Sequence, residues 1–326
     1  MALFGFRRRR LLKKAKSSVQ RLLSLPAEAF MTDFVVTIKP EKTVLDAAML
    51  MIGEDISTLV VEEDEKPVGV LTERDFITKV RAADAKKLAV RDVMTKHVVS
   101  VSPKETAQAM IHLLKEHHIR KLVVVHEDGT IAGIVTQTDL GRVLHKEVRI
   151  ICESVPPIFV RNVMTKHIIT VDESQKLHTA KQIMAKKAIS SLPVKKGDAF
   201  VGIFTEYDLV SRFYGAEEAV PNTIPEIMKS PVKAIPGDLT IFDANLIMLF
   251  ENCRRLLVIE EERVVGIVTQ TDIVHAAFAY LERMHEYLET HGDIVTEESF
   301  TLLKDSTHII SEYAGEHLRL FTLKTV

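Results

Sequence analysis

The chain has 326 residues, of which 46% are hydrophobic and 27% charged, a balance typical of globular proteins and sufficient for two compact domains. No apolar run reaches the roughly eighteen residues of a membrane span, and the N-terminus lacks the apolar stretch of a secretory signal, so we expect a cytoplasmic protein. Cys152 and Cys253 form no C-x-x-C pair and predict packed thiols rather than a disulfide framework.

The N-terminal 26 residues form a cationic arm on an acidic body. Eight basic and no acidic residues stand among the first 27, which leaves 35 Lys and Arg against 45 Asp and Glu elsewhere. Leu12, Ala15, Val19 and Leu22 recur at helical spacing and predict a basic amphipathic helix. The basic residues, our candidates for nucleic-acid binding, are Arg7, Arg8, Arg9, Arg10, Lys13, Lys14, Lys16 and Arg21.

Such an arm suits a polyanion. RNA or DNA phosphates are one partner, and an anionic membrane surface, with Phe4, Phe6 and the leucines of the helix in the interface, is another. A solvated, disordered tail is a third interpretation. We favour nucleic acid, because four consecutive arginines suit bidentate bonds to phosphate.

One short pattern recurs four times after the arm. It reads GVLTERD at Gly69, GIVTQTD at Gly133, GIFTEYD at Gly202 and GIVTQTD at Gly266, with glycines 64, 69 and 64 residues apart. The longer middle interval contains a Val-Pro-Pro segment, which indicates a stiff linker between two pairs of repeats.

Each repeat predicts the order β-α-β-β-α. A short strand follows Met-Thr, a helix with apolar spacing comes next, and two strands and a second helix follow. In the second repeat, Glu-Asp-Gly-Thr between the strands is a hairpin signal. A unit of about sixty residues has little core of its own, so we expect repeats to pack in pairs.

The fold class is therefore α/β, with a basic N-terminal helix and a small C-terminal extension. The predicted divisions are the arm 1–26, a first module 27–145 (repeats 27–83 and 88–145), a linker 146–157, a second module 158–282 (repeats 158–215 and 222–282), and an extension 283–326.

The M-T-x-x-h-h-x-V entry, the h-R-x-h-h-V strand and the G-h-h-T-x-x-D exit resemble those of cystathionine-beta-synthase (CBS) domains, which pair into Bateman modules. The resemblance covers about four-fifths of the chain. It implies that clefts between paired repeats bind AMP, ADP, ATP or related adenosyl ligands, and that the modules regulate a partner. Family habit also implies a homodimer.

The resemblance assigns an adenine-nucleotide role to residues of the last motif. Its Asp carboxylate suits both ribose hydroxyls, its Thr hydroxyl lies at a helix start where phosphate is favoured, and its Gly leaves the cleft edge free of a side chain. The Thr and Asp candidates are Thr72, Asp75, Thr136, Asp139, Thr205, Asp208, Thr269 and Asp272. Without a ligand, the same Thr-x-x-Asp is close to a capping box that closes a helix N-terminus.

Basic residues distinguish the even repeats from the odd ones. Arg120-Lys121 and Arg254-Arg255 stand where family members often contact phosphate, whereas Ser57-Thr58 and Ser190-Ser191 occupy this place in repeats 1 and 3. We infer that phosphates lie closest to the even repeats, although solvated surface arginines are an alternative.

Other chemistries are weakly supported. His117, His118 and the pair His112/Glu116 lack the further ligand that a metal site needs. HEYLETH at His285 lacks zinc-protease spacing, and Gly202 is followed by Ile203 rather than the Lys of a P-loop. With no nucleophile-base set, we predict a protein that is not an enzyme and has no catalytic cofactor or metal.

The C-terminus continues the last helix through Leu281 and Leu288, after which 297–314 is typical of a helix and 317–326 of a strand. The stretch from His308 to Val326 faintly resembles the start of small β-α domains in ribosome hibernation-promoting factors, and it could be cut short. With the basic arm, it motivates a hypothesis of a nucleotide sensor that binds RNA, specifically the ribosome, and inhibits translation.

Three alternatives remain open. The modules could regulate a metabolic enzyme or transporter through protein contacts. An enzyme of nucleotide metabolism is disfavoured by the missing catalytic set, and a DNA-binding transcription factor by the lack of a helix-turn-helix outside the repeats.

Overall fold

The computed structural model describes residues 14–81, 84–152, 157–211, 223–291 and 321–322, with the backbone alone at 146–152, 291 and 321–322. Its first element is helix α1 (14–23), followed by a 3-10 turn at Ala27–Ala29.

Four repeats follow, and each folds in the predicted order β-α-β-β-α around a sheet of three strands. Repeat 1 comprises β1 (Thr37–Ile38), α2 (Val44–Gly53), β2 (Thr58–Glu63), β3 (Lys66–Thr72) and α3 (Glu73–Thr78). After α4 (Val90–Val93), repeat 2 comprises β4 (Ser100–Val101), α5 (Ala107–Glu116), β5 (Lys121–Val125), β6 (Ile131–Thr136) and α6 (Gln137–Cys152). In each sheet the first strand runs parallel to the second, and the second antiparallel to the third.

The second half repeats this plan. After α7 (Val160–Val163), repeat 3 comprises β7 (Val171–Asp172), α8 (Leu177–Lys187), β8 (Ser191–Lys196), β9 (Ala199–Thr205) and α9 (Glu206–Leu209). Repeat 4 comprises β10 (Lys233–Pro236), α10 (Ile241–Phe250), β11 (Arg255–Glu260), β12 (Arg263–Thr269) and α11 (Gln270–His291). A further strand, β13 (Phe321–Thr322), pairs antiparallel with β10 and widens this sheet to four strands.

The first long helix of the repeats is set at its ends by local sequence. Thr43, Thr106 and Thr240 accept a hydrogen bond from the backbone N–H three residues on and so cap α2, α5 and α10. Beyond each helix a non-glycine residue adopts left-handed backbone, with φ between 45° and 53°, which ends the helix and turns the chain toward the next strand. These residues are Asp55, His118, Ala188 and Asn252.

Entry segments are exchanged between neighbouring repeats. Thr32, ahead of repeat 1, bridges Ile134 in β6 of repeat 2, while Thr95, ahead of repeat 2, bridges Val70 in β3 of repeat 1. The equivalent bridges in the second half are Thr165–Ile267 and Lys229–Ile203. Repeat 1 is therefore interlocked with repeat 2, and repeat 3 with repeat 4.

The motif glycines allow this exchange. A Cβ on Gly69 would lie 2.4 Å from the sulfur of Met94, and one on Gly202 would lie 2.3 Å from the sulfur of Met228. Gly133 and Gly266 face Met31 and Met164 in the same way. The glycine therefore permits close packing between paired repeats, and its cleft-edge role stays a prediction.

The hydrophobic core joins the two halves of the chain, because repeat 2 packs with repeat 4 and repeat 1 with repeat 3. One large cluster unites α5 and α6 of repeat 2 with α10 and α11 of repeat 4. Repeats 1 and 3 have their own clusters, and each contributes a residue to the other: Val210 packs in the cluster of repeat 1, and Ile77 in that of repeat 3. The four repeats thus form one closed arrangement.

Helix α1 belongs to this core. Ala15, Val19 and Leu22 are at most 1% exposed and pack with α5 and α11, and Lys16 lies 3.1 Å from Glu289 of α11. The predicted helix is confirmed over its described residues. Because its apolar face is buried in protein, that face does not dip into a membrane interface, which removes this part of the membrane alternative.

The linker and the C-terminal extension match their predictions only in part. Helix α6 extends to Cys152, so the first part of the predicted linker 146–157 is helical and not stiff coil. Helix α11 runs through Leu281 and Leu288 as expected. In the C-terminal segment, the strand prediction holds for Phe321–Thr322, while the helix expected at 297–314 lies outside the described residues.

Candidate nucleotide site

All four Thr-x-x-Asp motifs form a capping box. In each, the inner carboxylate oxygen Oδ2 of the Asp accepts hydrogen bonds from the backbone N–H and the hydroxyl of the Thr, at 2.6–2.9 Å. This geometry fixes the start of α3, α6, α9 and α11. One oxygen of each carboxylate is therefore committed to the helix, and the outer oxygen Oδ1 is left for other partners.

The outer oxygens differ between repeats. Lys79 lies 2.7 Å from Oδ1 of Asp75, and Arg142 lies 2.8 Å from Oδ1 of Asp139. Lys229 lies 3.8 Å from Oδ1 of Asp208. Among the described residues, Asp272 has no such cation.

The three Asp side chains with a nearby cation are also more buried than Asp272. Asp75, Asp139 and Asp208 are 3–5% exposed, whereas Asp272 is only half-buried. Burial raises the pKa of Asp208, and the Thr205 hydroxyl and Lys229 partly offset this effect.

The basic residues of the even repeats converge where all four repeats meet. Lys121 of repeat 2 donates to the hydroxyls of Ser57 and Thr58 in repeat 1. Arg254 of repeat 4 reaches the same Ser57 hydroxyl at 3.5 Å, and Arg255 donates to the backbone carbonyl of Ser190 in repeat 3 at 3.0 Å.

Two buried glutamates of the odd repeats face these cations. Glu206 is 1% exposed and accepts from Arg74 at 2.8 Å and from Arg120 at 3.1 Å. Glu73 is 3% exposed and lies 3.9 Å from Arg254. We call the set Arg74, Arg120, Lys121, Arg254, Arg255, Glu73 and Glu206 the central charge cluster.

The central charge cluster has an excess of positive charge in a partly desolvated place. Burial lowers the pKa of Lys121 to about 7, with Glu73 opposing that shift and Arg254 adding to it. Burial likewise lowers the pKa of Arg255 to about 10, with Arg254 and Arg120 adding to the effect. Burial raises the pKa of Glu73, and Arg254 and Lys121 oppose it. An added anion would relieve the repulsion among these cations.

A cavity of about 140 Å³ lies beside the cluster, between repeats 2 and 4. Arg142, Arg254, Thr138, Gln270, Asn252 and Cys253 line it. A symmetric pair of hydrogen bonds closes this boundary, Thr138 to Gln270 at 2.8 Å and Thr271 to Gln137 at 2.6 Å. Pockets for whole ligands of nucleotide size measure about 300–1,000 Å³, so the cavity holds only part of such a ligand without movement of its walls.

Most residues singled out in the sequence come together here. Arg120, Lys121, Arg254 and Arg255 meet in one cluster, and the motif Thr and Asp residues stand at the first turns of the helices around it. Sequence reasoning missed Glu73, Glu206 and Arg74. The signal was available, because the residue after the motif Thr is Glu in repeats 1 and 3 and Gln in repeats 2 and 4.

The arm is only partly described. Lys14, Lys16 and Arg21 lie on α1, whereas Arg7, Arg8, Arg9, Arg10 and Lys13 lie outside the described residues. Within the described ranges, no group of three His, Cys, Asp or Glu side chains could hold a metal ion, and His112 instead lies 2.7 Å from Glu282 of α11. No helix in the described part of the chain is long and apolar enough to cross a bilayer.

Fold and site together define a protein of four interlocked α/β repeats that surround a buried charge cluster. Matches to the CBS domain cover residues 27–82, 90–146, 160–215 and 224–279. The chain belongs to the CBS domain family.

Relatives of similar size and relatives that are enzymes match differently. Uncharacterized protein MJ1232 of Methanocaldococcus jannaschii is 28% identical over 218 residues, 64% of this chain and 72% of that protein. Inosine-5'-monophosphate dehydrogenase of Korarchaeum cryptofilum is 39% identical over 114 residues, 35% of this chain and 23% of the dehydrogenase. The chain thus spans less than a quarter of that enzyme's length.

Solved structures share the four-repeat fold. Protein MJ1225 from M. jannaschii superposes with a TM-score of 0.69 at 19% identity, covering 78% of this chain and 100% of that one. An uncharacterized conserved protein from Pyrococcus horikoshii gives a TM-score of 0.54 at 22% identity, covering 77% and 99%. At these identities the likeness concerns the fold.

Proposed function

We propose that the chain is a non-enzymatic regulatory protein that binds AMP, ADP or ATP in the clefts of two Bateman modules, 27–145 and 158–282. The motif Asp holds the ribose, and the phosphates point to the central charge cluster. The cluster carries this proposal, because it gathers basic side chains of both modules into one place that an anion would stabilise.

The ribose half of the proposal is supported by the four carboxylates. Each has one oxygen committed to its capping box and a second oxygen that can accept from a diol. The motif Thr and the free N–H groups of the same helix start favour a nearby phosphate. The capping role and the ligand role are thus compatible in one motif.

The phosphate half is supported by charge. Five cations oppose two glutamates in the cluster, and burial raises the pKa of one of these, Glu73, toward its neutral form. Replacing water with a phosphate next to poorly hydrated arginines gains charge-assisted hydrogen bonds. Ligands that carry phosphate should therefore bind more tightly than adenosine.

Isothermal titration of AMP, ADP and ATP into ligand-free protein tests the proposal. The test variant is Asp139→Ala with Asp272→Ala, and the control is Asp128→Ala, which removes an exposed hairpin carboxylate far from the motif. We expect binding in the wild type and the control, and weaker or fewer binding steps in the double variant. Absence of binding in the wild type would reduce the motifs to helix caps.

We also infer that the basic arm engages RNA, with the ribosome as the specific candidate and inhibition of translation as the outcome. Burial of the apolar face of α1 in the core supports this, because it fixes the arm to the body through α1. Basic residues placed before such an anchor remain close to any surface that the body contacts. A cytoplasmic location follows from this partner.

Ribosome co-sedimentation tests the arm. Arg7, Arg8, Arg9 and Arg10 are changed together to Gln, because deletion through Leu25 would remove the buried face of α1. Loss of co-sedimentation, with the melting temperature unchanged, is expected. Unchanged co-sedimentation would contradict the RNA role, and nuclease-resistant capture of a single enzyme or transporter would favour regulation through protein contacts instead.

A homodimer remains part of the proposal. One chain already joins its two modules through repeats 2 and 4, so a dimer would associate through other surfaces. Light scattering on the eluted protein distinguishes a mass near 36.7 kDa from twice that value.

A further inference from the structure

The four ribose carboxylates are not equally accessible. A cation lies within 4 Å of the outer oxygen in three of them, and the described residues place none there at Asp272. We call such a contact a cation latch, and its three members are Lys79 on Asp75, Arg142 on Asp139 and Lys229 on Asp208.

We propose that the cleft at Asp272 in repeat 4 is the open site, which takes its nucleotide first, and that the cation latches hold the other three clefts in a low-affinity state. This rests on the proposed function, and it adds an order of occupation to it. A ribose diol needs the outer oxygen, because the inner oxygen already accepts two hydrogen bonds from the capping Thr.

The latches differ in origin and in strength. Arg142 and Lys79 lie three and four residues after their Asp, a spacing that brings the two side chains together on one side of a helical turn. Lys229 comes instead from the entry segment exchanged between repeats 3 and 4, and it also lies 5.6 Å from the ring of Tyr207. The site at Asp208 is thus latched at longer range than the other two.

Repeat 4 lacks the means to form a latch on its helix. The third and fourth residues after Asp272 are His275 and Ala276. Burial lowers the pKa of His275, Lys115 adds to that effect, and Asp272 opposes it. The lowered pKa favours the neutral ring, and among the described residues its buried Nε2 has no hydrogen-bond partner. Nothing on this helix competes with a ribose hydroxyl for Asp272.

A ribose that enters a latched site competes with the cation for the outer oxygen. The latching side chains of Lys79 and Arg142 are 41% and 62% exposed, so solvent screens both pairs. Exposed pairs of this kind are weak, and each latch should lower the affinity of its site by about two- to fivefold. Release of a latch should raise affinity by the same factor.

The first experiment titrates AMP into full-length protein carrying one change at a time, Asp75→Asn, Asp139→Asn, Asp208→Asn or Asp272→Asn. Asn can still accept the capping hydrogen bond, so the helices should form, and melting temperatures check this. We expect the tightest binding step to disappear only with Asp272→Asn. Its loss with one of the other three changes instead would overturn the order of occupation.

The second experiment releases the latches and leaves the Thr-x-x-Asp capping boxes unchanged. In the Asp272→Asn background, Arg142→Gln and Lys79→Gln should each raise AMP affinity about two- to fivefold. Arg283→Gln and Lys187→Gln, exposed on α11 and α8, are the matched controls and should change nothing. Unchanged or weaker binding in the release variants would contradict the latch, whereas no AMP binding by the wild type would show that the proposed function itself fails.

Discussion

The odd and even repeats have the same backbone and opposite charges at the point where they meet. After the first helix, repeats 1 and 3 present Ser57-Thr58 and Ser190-Ser191, and repeats 2 and 4 present two basic residues. After the motif Thr, the odd repeats carry a buried Glu and the even repeats a buried Gln. The β-α-β-β-α fold thus accepts either set of side chains. The charge of the centre depends on two places in each repeat: the pair of residues after the first helix and the residue after the motif Thr.

This division places cations and anions of different repeats in contact. Arg120 of repeat 2 and Arg74 of repeat 1 share the carboxylate of Glu206 in repeat 3. The cluster holds more basic than acidic side chains, and this excess supports the proposed phosphate site. In the proposed function, the even repeats supply the side chains that bind phosphate, and the odd repeats supply the glutamates that pair with them.

The largest effect should come from the even repeats. Arg120→Gln with Arg254→Gln removes two charged donors, each worth about 1.5 kcal/mol or more, so ATP affinity should fall about a hundredfold. Adenosine affinity should stay unchanged, because it has no phosphate. Isothermal titration of both ligands measures the difference, and Arg283→Gln with Lys187→Gln is the control. Equal losses for ATP and adenosine would place the arginines outside the phosphate site.

Substitutions of the glutamates in the odd repeats should change the stability of the protein. Glu206→Gln leaves Arg74 and Arg120 without their carboxylate and should lower the free energy of unfolding by about 1–2 kcal/mol, since both arginines are partly exposed. Glu73→Gln should cost less, because burial already favours the neutral form of Glu73. Urea denaturation measures both, with Glu173→Gln as the control, because its partner Lys196 is 70% exposed. A greater loss for Glu73→Gln would reverse our assignment of the two glutamates.

The pH dependence of ATP affinity should report the protonation of Lys121. Its folded pKa is lowered to about 7 from 10.5, so the free site loses the ammonium charge as the pH rises above 7, and a bound phosphate draws the pKa back up. If binding raises that pKa by one unit, ATP affinity should fall about fivefold between pH 7 and 9.

Titration in buffers of different ionisation enthalpy should show proton uptake over this range. Lys121→Met should abolish both the fall and the uptake, while Lys115→Met should leave them in place. A fall that persists in Lys121→Met would assign the effect to another group.

The smallest effect concerns the turn that follows the first long helix of each repeat. Ala188 has left-handed backbone with φ 53°, where Asn252 and Asp55 stand in the equivalent turns of repeats 4 and 1. Ala188→Gly should stabilise the protein by about 0.5–1 kcal/mol, because glycine adopts this φ freely. Asn252→Gly, compared by thermal unfolding, should change less, and destabilisation by Ala188→Gly would contradict the turn geometry.

Much of the fold was predictable because it repeats. Four copies of the Thr-x-x-Asp motif fixed the number and order of elements, and the contrast of Arg120-Lys121 with Ser57-Thr58 was visible directly. The latches of Lys79 and Arg142 were also readable, since they lie within one helical turn of an Asp. Contacts between repeats were not predictable from local pattern. Glu206 lies 86 residues from Arg120, and Lys229 reaches Asp208 only through the exchanged entry segment.

A crystal structure of the protein with bound AMP tests the central claim most directly. We predict the ribose hydroxyls on the outer oxygen of a motif Asp, and the phosphate within hydrogen-bond distance of Arg120, Lys121, Arg254 or Arg255. A phosphate directed to solvent, with the central charge cluster unchanged and Arg120 still paired with Glu206, would contradict it.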